Sequence, residues 1–315
     1  MGKQATGERS SVQQMIAKSA GNKRKRAAER AVPAVLFLIA AVSVLTTAGI
    51  VATLVAETLT FFTKVPFRSF IFGTEWLPFS NKDPQFGILP LVAGTLKVTL
   101  IAVITAVPVG LSAAVYLSEY ASDGARRIIK PVLEVLAGIP TIVYGFFALT
   151  FVTPLLQSVI PGLKVFNALS PGIVVGIMII PMIASLSEDA MSAVPNPVRE
   201  GALAMGSTRF EVAVKVVLPA ALSGILASVV LAASRAIGET MIVSLAGGST
   251  PNLDAGFTGS IQTMTAYIVQ VATGDAGYGT PVYYSIYAVG STLFLFTLLM
   301  NWAAHRIAKR FREAY

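Results

Sequence analysis

The chain has 315 residues, of which 54% are hydrophobic and 13% are charged, and its mean hydropathy of +0.71 excludes an ordinary soluble domain. It contains no cysteine and a single histidine, His305, which excludes disulfides, iron–sulfur clusters, thiolate metal sites and histidine-rich metal sites. The net charge of +8 does not indicate nucleic-acid binding, because the basic residues flank apolar segments, as in a polytopic membrane protein.

Six apolar segments are long enough to cross a bilayer, since a hydrocarbon core of about 30 Å needs about 20 residues of helix. Their predicted limits are Ala31 to Ala56, Ile88 to Tyr116, Val132 to Ile160, Pro171 to Leu186, Val216 to Ala246 and Val282 to Ala304. Prolines inside the third and fourth segments are tolerated where neighbouring helices or a cavity satisfy the freed backbone groups. The sequence therefore predicts an all-α integral membrane protein with six transmembrane helices.

The basic residues predict the orientation of these spans. Six spans place both termini on one side, and the tails and loops of that side hold 18 of the 24 Lys and Arg residues. The opposite face holds four, and Lys97 and Arg235 lie within spans. Because cytoplasmic loops carry an excess of Lys and Arg, both termini are predicted to be cytoplasmic.

The first 30 residues are polar and basic, and they include the run KRKR from Lys23 to Arg26. Residues 1–30 are predicted to be a disordered cytoplasmic tail that is attracted to anionic lipid or contacts a protein. Residues 31–315 are predicted to form the transmembrane domain. Its first apolar run is too long for a signal peptide and is interpreted as a retained helix.

The longest cytoplasmic connection, residues 187–215, carries helix signals where a simple connector would be irregular. Asn196, followed by proline, can cap a helix, and Gly206 can end that helix in a left-handed conformation. A Thr208–Glu211 capping box then opens the next helix. The pattern predicts a short surface helix over Pro197–Met205, held between two turns.

The stretch EGALAMGSTRFEVAVKVVLP, Glu200 to Pro219, resembles the signature loop of ATP-binding-cassette (ABC) importer permeases. The matching positions are Glu200, Gly201, Ala202, Gly206, Val216, Leu218 and Pro219, and Gly201 replaces the family's usual alanine. The resemblance implies a type I importer permease whose short surface helix, the coupling helix, docks on a nucleotide-binding subunit. It assigns ATPase coupling to Glu200, Gly201, Ala202, Gly206, Leu218 and Pro219. The alternative is an amphipathic helix that only anchors the loop.

No G-x-x-x-x-G-K-[ST] motif occurs in the sequence, so the chain lacks a phosphate-cradling nucleotide loop. The chain is therefore interpreted as a non-catalytic translocation subunit that binds no cofactor or metal itself. ATP and Mg²⁺ are expected on a partner ATPase.

Three further stretches are similar to PstC-type permeases of the bacterial phosphate-specific transport system. They are FGTEWLPFSNKDPQFGILPLVAGTLKVTLIAVITAVPVGLSAAVYLSEYA from Phe72, LAGIPTIVYGFFAL from Leu136 and SRAIGETM from Ser234. This resemblance, which runs from about Val35 to the C-terminus, implies import of inorganic phosphate across the bacterial inner membrane. The partners it implies are a PstA-type permease, two PstB-type ATPase subunits and a PstS-type phosphate-binding protein, with PhoU and a sensor kinase as further associates. The alternatives are import of molybdate, sulfate or phosphonate, and a membrane scaffold for phosphate signalling.

Arg235 and Glu239 stand four residues apart in the fifth span, where each charge costs roughly 2.5 to 3.5 kcal/mol at a bilayer centre. On a continuous helix they share one face and can pair. Counted from Leu218, Arg235 is predicted about 25 Å along the helix, in the outer half of the bilayer. Its planar fork suits a tetrahedral oxyanion, so Arg235 is predicted to attract phosphate. Glu239 either steadies Arg235 or accepts the proton of phosphate in a hydrogen bond; the alternative is a pair that only locks helices together.

Three more residues are candidates for the substrate path: Lys97, Thr141 and Tyr144. Lys97 either snorkels outward along its long stem or contributes to an anion-attracting vestibule. The hydroxyl groups of Thr141 and Tyr144 either line the path or belong to ordinary helix packing.

The outward segment 246–280 has glycine-rich ends around a possible amphipathic helix. Its apolar residues recur at helical spacing: Ile261, Met264, Ile268 and Val271. The segment is an outer gate, a landing surface for a binding protein or a passive interfacial helix.

Overall fold

The computed structural model describes residues 23–80, 82–274 and 276–310. Within them, five helices are long and apolar enough to cross a membrane, and a sixth span results when two helical segments joined by a 71° bend are counted together. One two-stranded antiparallel sheet is the only sheet in the described part of the chain. The predicted all-α membrane fold is confirmed.

Helix α1, Lys23–Lys64, contains the first span and begins before the predicted limit of Ala31. The helix includes residues 23–30 of the predicted tail, and the remaining residues of that tail, 1–22, lie outside the described residues. The chain divides after Ala56 into two compact units. The side chains from residue 31 to the division are mostly exposed apolar groups, which is typical of a surface that faces lipid.

The second unit opens with a small aromatic core. Helix α2, Phe67–Phe72, precedes the strands β1, Trp76–Leu77, and β2, Gln85–Phe86, which pair antiparallel. Edge-to-face ring contacts join Phe61, Phe70, Trp76, Phe86 and Tyr267. These contacts fix the segment before the second span against a helix near residue 267.

Helices α3 and α7 form the packed centre of this unit. Helix α3, Leu89–Val115, continues through a π-helical turn, Tyr116–Tyr120. Helix α7, Leu169–Ser192, extends beyond both predicted limits and accommodates Pro181 inside it. Gly176 of α7 allows the backbones to approach closely, because a Cβ there would lie 2.8 Å from the Cβ of Thr105.

The third span is shorter than predicted, and its predicted start at Val132 is wrong. The residues before it form a separate amphipathic helix, α4, Asp123–Gly138, which has no buried residue. The chain breaks at Ile139, which is extended because a residue before proline disfavours the helical conformation. The span itself comprises α5 (Thr141–Phe147), a π-helical turn (Ala148–Val152) and α6 (Thr153–Val159).

The fifth span is not the continuous helix predicted from Val216 to Ala246. After the surface helix α8, Asn196–Ala204, the chain forms α9 (Arg209–Val212), a π-helical turn (Ala213–Val217) and α10 (Leu218–Ala220). It then bends by 71° into α11, Leu222–Ile237. A second break separates α11 from α12, Met241–Ala246.

Two helices complete the described chain. Helix α13, Met264–Thr273, lies in the predicted outward segment, and α14, Pro281–Arg310, is the last span. Of the predicted apolar face, Ile261, Met264 and Val271 are buried and Ile268 is half-buried. The predicted helix is confirmed, although Ile261 precedes its start. Because its apolar face packs against the aromatic core, a passive interfacial helix does not fit.

Candidate functional site

Arg235 and Glu239 do not share a helix face, because α11 ends at Ile237 between them. The Oε1 atom of Glu239 accepts hydrogen bonds from the backbone N–H groups of Met241, at 3.1 Å, and Ile242, at 3.3 Å. Glu239 therefore caps the first two N–H groups of α12 from the position before its N-cap residue, Thr240. The ion pairs found among the described residues do not include Arg235 with Glu239, so the predicted pair is wrong.

The backbone of Glu239 is also engaged. Its carbonyl oxygen accepts a hydrogen bond of 2.7 Å from the hydroxyl of Thr265, which lies in the first turn of α13. The side chain of Glu239 is buried, with the residue 8% exposed. Glu239 thus holds together the break between α11 and α12 and the start of α13.

Arg235 is exposed and lines a cavity of about 450 Å³ between α4, α7 and α11. Counted from the bend at Leu222, it lies about 20 Å along α11. The facing wall is α4, which contains residues 123–131 of the predicted cytoplasmic loop after the second span. Arg235 therefore lies on the predicted cytoplasmic side of the break at Gly238, and its place in the outer half of the bilayer stays a prediction.

An ion pair lies in the same cavity. Lys130 Nζ on α4 lies 2.7 Å from Glu188 Oε2 on α7, and the two side chains are 45% and 3% exposed. Sequence reasoning missed this pair, because Glu188 follows the predicted end of the fourth span. The available signal is the spacing of Pro181, Ser185 and Glu188, which places all three on the cavity face of α7.

The other predicted path residues lie elsewhere. Tyr144 is buried, and its hydroxyl donates to the carbonyl oxygen of Leu136 at 2.8 Å, across the break before α5. Thr141 is half-buried at the start of α5, and neither residue lines the cavity of Arg235. Their placement fits helix packing, the alternative that the sequence left open.

Lys97 points to the outward segment. Its ammonium donates to the carbonyl oxygens of Leu253, at 3.1 Å, and Ala255, at 2.5 Å. The long side chain thus pins the loop before α13 to α3. The structure does not bring Lys97 to the cavity of Arg235.

The surface helix predicted to be the coupling helix is α8. It begins at Asn196 with Pro195 before it, so Asn196 is not the cap that the sequence predicted. Its side-chain oxygen accepts instead from Arg199 Nη1 at 3.3 Å. The predicted left-handed turn is confirmed, since Gly206 has a φ of +90° and its N–H donates to the carbonyl oxygen of Leu203.

The predicted capping box is also confirmed. Thr208 N–H donates to Glu211 Oε2 at 3.0 Å, and Glu211 N–H donates to the Thr208 hydroxyl at 3.3 Å. The Thr208 N–H, with Lys215 Nζ at 3.0 Å, lowers the pKa of Glu211 to about 2. This carboxylate, in the predicted cytoplasmic connection, is therefore ionised at neutral pH.

No residue of α8 is fully buried, and one face of the helix is exposed in the structure. Glu200 and Gly201 are exposed, and Ala202 packs partly against the core below. Large apolar side chains are also exposed beside them: Leu203, Met205 and Phe210. Exposed apolar surface of this kind is typical of sites that contact another protein or the membrane.

The predicted coupling residues Leu218 and Pro219 lie in α10, directly before the 71° bend. Leu218 packs against a buried cluster that includes Met191 of α7 and Val212 of α9. This contact joins the segment after the coupling helix to the end of the fourth span.

Residues 106–313 match the family of binding-protein-dependent transport system inner membrane components. The chain belongs to this family. The permease is 34% identical over 241 residues to the probable ABC transporter permease protein YqgH of Bacillus subtilis (strain 168), covering 75% of this chain and 77% of that protein. It is 34% identical over 249 residues to the phosphate transport system permease protein PstC of Xylella fastidiosa (strain 9a5c), covering 73% and 75%.

Solved ABC transporters share the fold of this permease. A bacterial alginate transporter, in complex with an alginate-bound periplasmic protein, aligns over 88% of this chain and 96% of its own, with a TM-score of 0.61 and 15% identity. The MetNI methionine transporter in an inward-facing conformation aligns over 72% and 95%, with a TM-score of 0.53 and 19% identity. The permease therefore has the type I ABC importer fold and is an inner-membrane subunit.

Proposed function

We propose that this permease moves inorganic phosphate into the cytoplasm as one subunit of an ABC importer. The observation that carries the proposal is its 34% identity, over 73% of its length, to a phosphate transport system permease, PstC. A free arginine in the membrane domain supports it, because Arg235 lines the cavity with no hydrogen-bond or ion-pair partner in the described part of the chain.

The proposed complex has one PstA-type permease, two PstB-type ATPase subunits and a PstS-type binding protein, with PhoU and a sensor kinase as associates. The chain itself is non-catalytic and binds no cofactor, and ATP and Mg²⁺ bind to the ATPase. The exposed surface of α8 docks on that ATPase through Glu200, Gly201, Ala202 and Gly206. Leu218 and Pro219 carry the resulting motion into the bend before α11.

Within this function, Arg235 contacts phosphate in the cavity, where its guanidinium offers paired donors to a tetrahedral oxyanion. The alternative is that Arg235 has only a structural role. The substitution Arg235→Lys separates the two, since lysine keeps the charge and loses the planar fork. A steep fall in uptake with intact assembly and ATPase activity supports the path, whereas loss of assembly supports the structural role.

The decisive experiment purifies the complex and then measures its phosphate uptake. A tagged permease should co-purify with an ATPase, a second permease and a phosphate-binding protein, and the reconstituted complex should take up labelled phosphate when ATP is supplied. Uptake of molybdate or sulfate in place of phosphate would contradict the proposed substrate. Glu200 and Gly206 variants that uncouple ATPase activity but leave uptake untouched would contradict a transport role.

A further inference from the structure

The cavity of Arg235 is lined by charged side chains of both signs. Two cations and two carboxylates line it: Lys130, Arg235, Glu134 and Glu188. Their formal charges cancel, so an empty cavity carries no net lining charge. A volume of about 450 Å³ is within the usual range for a small-molecule site.

Glu188 is the buried member of this set. Its side chain is 3% exposed, and its Oε2 atom lies 2.7 Å from Lys130 Nζ. A buried carboxylate that loses its paired cation is strongly destabilised, so Lys130 can leave only if another group compensates the charge of Glu188. Lys130 itself is 45% exposed, and its flexible stem allows the ammonium to move within the cavity.

A protonated oxyanion supplies the missing donor. Its charged oxygens can bind Arg235 and the released Lys130, while its O–H group donates to Glu188 in place of the ammonium. An oxyanion without a proton, such as sulfate, would instead set its charge against the Glu188 carboxylate. The same residues would therefore bind one class of anion and reject the other.

We propose that this cavity is a binding site for a protonated tetrahedral oxyanion, with Arg235 and Lys130 as its cationic contacts and Glu188 as the acceptor of the oxyanion's proton. The proposal rests on the function proposed above, since the site lies on the path of the transported anion. In the empty state Glu188 holds Lys130, and this ion pair joins α4 to α7 across the cavity. When the anion binds, the Lys130–Glu188 ion pair is replaced by contacts of the anion with Arg235, Lys130 and Glu188.

The lack of cysteine in this chain gives a direct test. Ser185 is exposed and lines the cavity, and Ser192 is exposed at the end of the same helix and outside the lining. Ser185→Cys and Ser192→Cys are introduced separately into the assembled complex, with cysteine-free partner subunits, in lipid nanodiscs without binding protein. The rate of maleimide labelling is measured with and without inorganic phosphate.

Phosphate is expected to slow labelling of Ser185→Cys at least threefold and to leave Ser192→Cys unchanged. Adding Lys130→Gln should remove this protection, and Lys130→Arg should keep part of it. Sulfate should protect Ser185→Cys only when Glu188→Gln is also present, because glutamine removes the repelling charge. Size-exclusion chromatography with the ATPase subunits confirms that each variant is assembled.

Labelling of Ser185→Cys that phosphate does not slow overturns the site. Equal protection by sulfate and phosphate in the Ser185→Cys background overturns the role of Glu188. The complex without introduced cysteines is assayed in parallel for phosphate uptake with the binding protein present. Uptake without protection leaves the proposed function standing and rejects the site, whereas protection without uptake supports the site and rejects the proposed function.

Discussion

Arg199 of the coupling helix donates from Nη2 to Glu119 Oε1 over 3.2 Å, and this ion pair joins α8 to the end of the second span. The same guanidinium donates to the carbonyl oxygen of Met191 at 2.7 Å and to that of Val194, at the end of α7. Both paired side chains are largely buried, at 15% and 10% exposure. One side chain therefore connects the coupling helix to two spans.

Arg199→Gln is expected to lower the number of phosphate ions imported per ATP hydrolysed. The substitution removes charge-assisted hydrogen bonds, each worth about 1.5–3 kcal/mol, and frees α8 from the ends of the second and fourth spans. Uptake and ATP hydrolysis are measured together in proteoliposomes. The control is Arg209→Gln, which removes an exposed arginine of the same connection. Equal ratios for the two variants would show that the Arg199 contacts do not transmit motion.

Substitution of two glycines of this loop by alanine should change the stability of α8 in opposite directions. Gly206→Ala places a Cβ at a φ of +90°, which costs about 1–2 kcal/mol although no atom lies within 4 Å. Gly201→Ala lies inside α8 with open space around it and should stabilise the helix by about 0.5–1 kcal/mol. Amide hydrogen exchange of α8 should speed up in the first variant and slow in the second. The same direction in both would contradict this assignment.

Local motifs in the loop were predictable because their partners lie within a few residues. All residues that form the Thr208–Glu211 capping box and the Gly206 turn lie within one short stretch of sequence. The break in SRAIGETM was not predictable, since a single glycine costs a helix only about 1 kcal/mol. A contact from Thr265, 26 residues away, holds that break. Pairing of Lys130 with Glu188 likewise depends on the folded chain.

The break also predicts how Arg235 and Glu239 variants combine. Because the residues do not contact each other, the effects of Arg235→Lys and Glu239→Gln should add within about 0.5 kcal/mol in a double-mutant cycle. Thermal stability of the purified complex provides the measurement. Glu239→Ala serves as the stronger variant, since it removes the cap of α12 and should cost about 1 kcal/mol. A coupling energy above 1 kcal/mol would indicate a direct pair.

Lys97 offers a test of how the outward segment is held. Lys97→Met keeps an apolar stem but removes the ammonium that binds the carbonyl oxygens of Leu253 and Ala255. Since hydrogen bonds to charged groups are worth about 1.5–3 kcal/mol, exchange of the Asp254 amide, which lies between the two carbonyls and donates to Asn252 Oδ1, should rise about tenfold. Lys97→Arg, which retains donors, should restore much of the protection.

The same pair of variants separates this role from an anion vestibule. A vestibule lysine would attract phosphate from outside, so its loss would raise the phosphate concentration needed for half-maximal uptake while exchange in the loop stayed unchanged. If Lys97 pins the loop, its loss accelerates amide exchange in the loop. Any effect on uptake then results from the greater mobility of this segment. Hydrogen-exchange mass spectrometry and uptake kinetics on Lys97→Met and Lys97→Arg complexes decide between the two, because only loss of loop pinning accelerates exchange of the hydrogen-bonded Asp254 amide.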